Sequence, residues 1–183
     1  FTPPYSLFSK KDYKSLYESS SRADREELYR WIEYYKIKFK SRVYTPLNNS
    51  EKYTLVLMGR ADFGLLGSYN KYKQTPFETF HVGGDGMTGS YTYATETIGL
   101  RGYDNGALTP YSDGRAYTRF SMELHFPFLL QPSSTIYGLA FVEGGNAWTS
   151  LENFNPFSLK RSAGVGVRIF LPMIGLMGID WAY

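Results

Sequence analysis

The stretch W-I-E-Y-Y-K-I-K-F-K-S-R-V, Trp31–Val43, alternates in character along its whole length. Its odd positions read Trp31, Glu33, Tyr35, Ile37, Phe39, Ser41 and Val43, and its even positions Ile32, Tyr34, Lys36, Lys38, Lys40 and Arg42. In an extended chain successive side chains point to opposite faces, so a period of two makes one face mainly apolar and aromatic and gives the other four consecutive bases. The row Lys36, Lys38, Lys40 and Arg42 reads as a hydrated wall rather than as a binding site.

The same pattern recurs downstream. From Tyr53 to Leu65 the odd face is Tyr53, Leu55, Leu57, Gly59, Ala61, Phe63 and Leu65, while Lys52, Thr54, Arg60 and Asp62 lie opposite; the polar run Thr45–Ser50 is the turn between the two strands. Over Ala116–Phe128 the apolar face is Ala116, Thr118, Phe120, Met122, Leu124, Phe126 and Phe128, against Arg115, Tyr117, Arg119, Ser121, Glu123 and His125. A turn at Gln131–Ser134 leads to a strand near Thr135–Trp148 whose parity is unclear and in which Gly144-Gly145 could host a bulge. Lys160–Leu171 is cleaner, with Ala163, Val165, Val167, Ile169 and Leu171 opposing Ser162, Gly164, Gly166 and Arg168, and a last strand from Leu176 presents Met177, Ile179, Trp181 and Tyr183.

A soluble β-sandwich also alternates, but its strands are nearer five or six residues. These run to about thirteen, and a membrane barrel needs about 9–11 tilted residues to cross the hydrocarbon. Tyr29, Trp31, Tyr44, Tyr53, Trp148, Trp181 and Tyr183 crowd strand ends like an interfacial aromatic girdle. Short turns alternate with long connections, as in outer-membrane barrels. The chain has no apolar run long enough for a spanning helix, since Ile169–Ile179 is broken by Pro172, Gly175 and Gly178. The net charge is +3 with dispersed bases, so nucleic acid is not an expected partner. With Cys 0 there is no disulfide or thiolate chemistry. The expected fold is therefore all-β, an antiparallel transmembrane barrel.

About six strands cannot close such a barrel, for which eight is the smallest number in one chain. The opening Phe1–Phe8 looks like the tail of an earlier strand, and Tyr183 interrupts another, so residues 1–183 are expected to be one partial barrel domain of a longer chain. Helix is a minor element near Lys11–Glu27, where charge and poor periodicity equally suggest an outer loop. A long loop, about 67–114, contains GGDGMTGSYTYATETIGLRGYDNGALTP, Gly83–Pro110. A loop of this size is usually functional or disordered. Its centre, Leu100-Arg101-Gly102-Tyr103, sets one arginine between an apolar residue and a Gly-aromatic pair, which suggests a docking site.

Phe77–Gly84 followed by Ile98–Tyr103 closely resembles the BamA family of outer-membrane assembly factors, in which an extracellular loop folds into the barrel lumen behind a Val/Leu-Arg-Gly-Phe/Tyr tip. Phe141–Trp148, F-V-E-G-G-N-A-W, is similar to that family's acidic-glycine-aromatic strand, and Lys160–Arg168 to its Arg-x-Ser-x-Gly strand pair. Met173–Trp181 resembles the stretch opening the next strand, although Pro172 has no second proline after it. The resemblance covers roughly Trp31 to Tyr183. It implies a barrel of about 16 strands, of which this chain carries the C-terminal part, in the outer membrane of a Gram-negative bacterium. It also implies an insertase for nascent β-barrel proteins that works with accessory lipoproteins and outer-membrane lipid, without cofactor or covalent chemistry. A related secretion or translocation pore, or a passive channel, is the alternative.

An arginine confined in a lumen needs an anionic partner, because an unpaired buried charge is costly. Glu123 and Glu143 match the family's acidic partners, and Gly164 and Gly166 would leave room for the loop. Catalytic chemistry is not expected. The histidines are His81 and His125, and no Gly-x-Ser-x-Gly elbow occurs. His125, Glu123 and Ser121 share a strand face, but residues two apart sit about 7 Å from each other, too far for a direct bond through short groups. Asp12, Asp24 and Asp62 lack the spacing of loop ligands, and Gly83–Gly86 reads as a turn, so no metal is expected.

Overall fold

The short helices α1 Tyr5–Phe8, α2 Tyr13–Glu18 and α3 Arg22–Tyr29 precede strands β1 Tyr35–Pro46, β2 Val56–Gly67, β3 Thr79–Val82, β4 Thr95–Ile98, β5 Ala116–Gln131, β6 Ser134–Trp148, β7 Lys160–Leu171 and β8 Gly175–Ala182. The structure, a computed structural model, describes residues 2–50, 53–87, 95–109, 111, 113–131 and 133–183. Six strands form one antiparallel sheet in the order β1-β2-β5-β6-β7-β8, with β1 and β8 as its edges, and β3 pairs with β4 in a parallel ribbon. Among the described residues no helix is long and apolar enough to cross a membrane.

Cross-strand partners share a face, and the register therefore sorts the side chains. Lys40 faces Asp62, Asp62 faces Arg119, Arg119 faces Gly145, and Ser121, Glu143 and Ser162 lie in one row. The inner face thus carries the charges. The outer face carries Ile37, Phe39, Val43, Met122, Val142, Val165, Ile179 and Trp181, all exposed. Apolar exposure on this scale fits a sheet that faces lipid, where its antiparallel ladder satisfies the backbone internally.

The described residues of 79–82 and 95–103 lie over the inner face. Phe80, Val82 and Ile98 from the ribbon pack on Leu66 of β2 and Tyr117 of β5. The Phe80 and Tyr117 rings meet edge to face at 4.7 Å. This apolar cluster turns part of a charged wall into a small core. Gly64 makes the approach possible, since a Cβ there would lie 2.9 Å from the Phe80 ring. Thr88–Ala94 of the loop, like Phe1, Lys52 and Pro132, lie outside the described residues.

Several boundaries differ from expectation. The segment Tyr5–Phe8 is helix α1, not a strand tail, and it starts after Pro4, where a missing N–H costs no intrahelical bond. The first strand begins at Tyr35 rather than Trp31. Glu33, expected on the apolar face, is buried and accepts the Ser6 N–H at 2.7 Å, which ties the helical segment to the strand's start. Lys11–Glu27 forms α2 and most of α3, with Asp12 capping α2 through the N–H groups of Lys14 and Ser15. The second strand begins at Val56, because Asn48 takes the Leu55 N–H at 2.8 Å and ends the ladder there. Gly144 and Gly145 sit in continuous register on both sides, and the irregularity falls instead between Pro127 and Leu129, where proline has no N–H to give. Tyr44, assigned to a girdle, pairs with Met58 on the inner-face register.

Candidate functional site

The loop tip is seated by small residues. Leu100 is fully buried and rests over Gly145, where a Cβ would lie 3.2 Å from its methyl carbon and 2.9 Å from the Thr118 carbonyl oxygen. Gly102 has φ +87, and a Cβ on it would approach Ser162 Cβ to 2.8 Å, so both backbone conformation and space require glycine. The Tyr103 hydroxyl donates to the Arg161 carbonyl at 2.8 Å. The tip thereby touches β6 on one side and β7 on the other.

Arg101 points into a cluster of acids. Its Nη2 lies 2.7 Å from Glu143 Oε1 and also pairs with Glu123, and its Nη1 is 3.5 Å from Asp180 Oδ2. Its backbone N–H donates to Glu143 Oε2 at 2.9 Å, and the guanidinium carbon stacks 3.5 Å from the centroid of the Phe141 ring. Glu143, whose side chain is fully buried, also accepts from Arg119 Nη2 at 2.7 Å and from Ser121 Oγ at 3.0 Å. Asp180 is held by both terminal nitrogens of Arg168 at 2.5 and 2.7 Å. Arg101, Arg119 and Arg168 thus balance Glu123, Glu143 and Asp180, so charges with little access to water are compensated within the cluster.

A second contact holds the loop to the opposite edge of the sheet. Lys36 Nζ lies 2.8 Å from Glu78 and 3.1 Å from Glu96, and Lys38 and Lys40 reach Glu96 at 3.1 and 3.5 Å. The row expected to be a hydrated wall is therefore largely a dock for the loop's own carboxylates. Burial alone would raise the Glu96 carboxyl, but its bonds to Lys36 and Lys38 outweigh that and hold it below the ordinary carboxylate range.

The profile of the Omp85 superfamily domain matches residues 20–183. The chain belongs to the Omp85 superfamily. Its fold is similar to the crystal structure of BamA from Haemophilus ducreyi lacking POTRA domains 1–3, with a TM-score of 0.61 at 20% identity over 82% of this chain. The match spans 31% of that BamA chain. This Omp85 chain is accordingly an outer-membrane β-barrel protein with a BamA-like sheet.

Within the Omp85 sheet, the inner cavity beside the tip has a volume of about 740 Å³ and is lined by Arg101, Arg119, Glu123, Arg168 and Asp180 among others. Gly164 and Gly166 lie beside the site rather than under the loop. The nearest atoms to a Cβ on them are the Phe141 ring and backbone of β8 for Gly164, and the Asp180 carboxylate and Ile179 carbonyl for Gly166. They make room for the two groups that then touch Arg101. Asp180, Arg119, Phe141 and Arg168 were not singled out from the sequence. Asp180 carries a readable signal, since it alternates with the apolar set Met177, Ile179, Trp181 and so faces inward. His125 Nε2 and Glu123 Oε2 are 2.9 Å apart, so these longer side chains bridge a two-residue gap that short ones cannot. Ser121 bonds Glu143, not His125.

Proposed function

We propose that residues 1–183 form part of the barrel of a BamA-type insertase, which folds and inserts nascent β-barrel proteins into the outer membrane of a Gram-negative bacterium. The observation that carries this reading is the Leu100–Tyr103 tip, with Arg101 shared among Glu123, Glu143 and Asp180. Work of this kind requires no covalent step. It requires a barrel that keeps its shape while its wall is strained by an entering strand and by lipid. The tip contributes by cross-linking β5, β6 and β8 from inside, and the Lys36–Glu96 contact ties the same loop to β1. A loop tied at two edges resists splaying of the strands between them. Accessory lipoproteins and outer-membrane lipid are the remaining partners of this reading.

The test is depletion of the full-length protein in cells, with complementation by wild type or Arg101→Ala. Loss of many outer-membrane proteins, rescued by wild type and only weakly by Arg101→Ala, is the expected result. Loss of a single exported client would assign the chain to a secretion pore instead. Ion conductance with no loss of any client would make it a passive channel.

A further inference from the structure

The outer face carries a groove of about 520 Å³ between β5, β6 and β7, near the end of the sheet from which the long loop leaves. Met122, Val142 and Ala163 line it, Gly144 lies among them, and Leu159 and Arg161 sit at its loop end. Arg161 pairs with Gly144 across β6 and β7, which places it on the apolar face and not among the inner charges. It is exposed, and its side chain makes no ion pair among the described residues, whereas Arg60, Arg101, Arg119 and Arg168 each reach a carboxylate. Its backbone is fixed by the Tyr103 hydroxyl, so the cation sits at a set height on the strand.

A guanidinium at the margin of a lipid-facing surface is stable where it reaches a headgroup, and its planar fork fits a phosphate. Long loops of outer-membrane barrels lie on the extracellular side, so Arg161 stands at the level of the outer-leaflet headgroups. We propose that this groove holds one phosphate-bearing lipid of the outer leaflet, with an acyl chain lying over Gly144 and the headgroup phosphate on Arg161. The site rests on the outer-membrane assignment and is independent of the insertase role.

Gly144 offers a clean way to block it. A Cβ there meets Leu159 at 3.4 Å and the Lys160 carbonyl at 3.7 Å, ordinary contacts, so a side chain at this position starts without a backbone clash and extends into the groove. The experiment uses full-length protein in mild detergent, incubated with diphosphoryl lipid A or its dephosphorylated form, with retained lipid read by native mass spectrometry. Wild type is expected to keep one diphosphoryl lipid A. Arg161→Ala should lower that retention about tenfold, Arg161→Lys should restore most of it, and Arg161→Ala should not alter the weaker retention of the dephosphorylated form. Gly144→Leu should lower retention of both. Heat-shifted gel mobility identifies folded variants, and the client-assembly assay with Arg101→Ala reports separately on the insertase reading. Equal lipid retention by folded wild type, Arg161→Ala and Gly144→Leu would overturn the site.

Discussion

Replacing Arg101 with alanine removes a cation that reaches Glu123, Glu143 and Asp180 together and leaves Glu143 inside the sheet. Breaking a buried pair by deleting one partner costs about 3–5 kcal/mol. Two facts place this case at the lower end. Glu143 retains Arg119 at 2.7 Å and Ser121 at 3.0 Å, and the Arg101 side chain is 12% exposed, so water can reach part of the vacated space. Loss of the stacking contact with Phe141 adds about 0.5–2 kcal/mol. The expected destabilisation is about 4 kcal/mol, read as a drop of several degrees in the midpoint of the heat-induced gel shift of the full-length barrel. Arg101→Lys keeps the charge without the fork and should fall between wild type and alanine. The decisive measurement is a double-mutant cycle of Arg101→Ala with Glu143→Gln, for which coupling above about 1 kcal/mol is expected. Additive effects with an unchanged midpoint would refute the idea that this pair braces the wall.

Acidification should loosen the ribbon before the barrel. The Glu96 carboxyl is held below its ordinary value, so the stability it lends is complete above its unfolded pKa and is lost as pH falls through the lower folded value. Amide protection factors at β3 and β4, taken relative to the intrinsic exchange rate at each pH, should therefore fall as pH drops below about 4.5, and Glu96→Gln should flatten that dependence; identical profiles would contradict it. Gly102→Ala forces a side chain into a left-handed conformation against Ser162 and should cost about 1–2 kcal/mol, measured by the same gel shift. Tyr117→Phe removes a buried hydroxyl that has no hydrogen-bond partner among the described residues, so stability should stay equal or rise by up to about 1 kcal/mol, and a clear loss would mean that the hydroxyl is bonded.

The sheet was legible wherever one face is polar and the other apolar. β7 matches its expected bounds, and β5 and β8 keep the expected faces, because a register slip of one residue would bury charge in lipid. Legibility failed where side chains meet across long sequence separations. Nothing local to Lys36 announces Glu78 or Glu96, which lie beyond β2 and come back only because the loop packs on Leu66 and Tyr117. The start of β1 is hidden for a similar reason, since Glu33 answers to Ser6 rather than to its strand neighbours. The parity of β6 was obscured by Phe141, an aromatic on the charged face that becomes intelligible only once a guanidinium lies upon it.

Glu96 and Arg101 lie on one short segment, five positions apart and of opposite sign, and each meets its complement on a different part of the sheet. Such a segment is keyed like an asymmetric plug. Threaded the other way round, it would press carboxylate against Glu143 and guanidinium against Lys36, two repulsions in place of two attractions. The sense in which the polypeptide enters the cavity is thereby written into the spacing of two residues, and a mis-threaded intermediate during biogenesis would be expelled by its own charges.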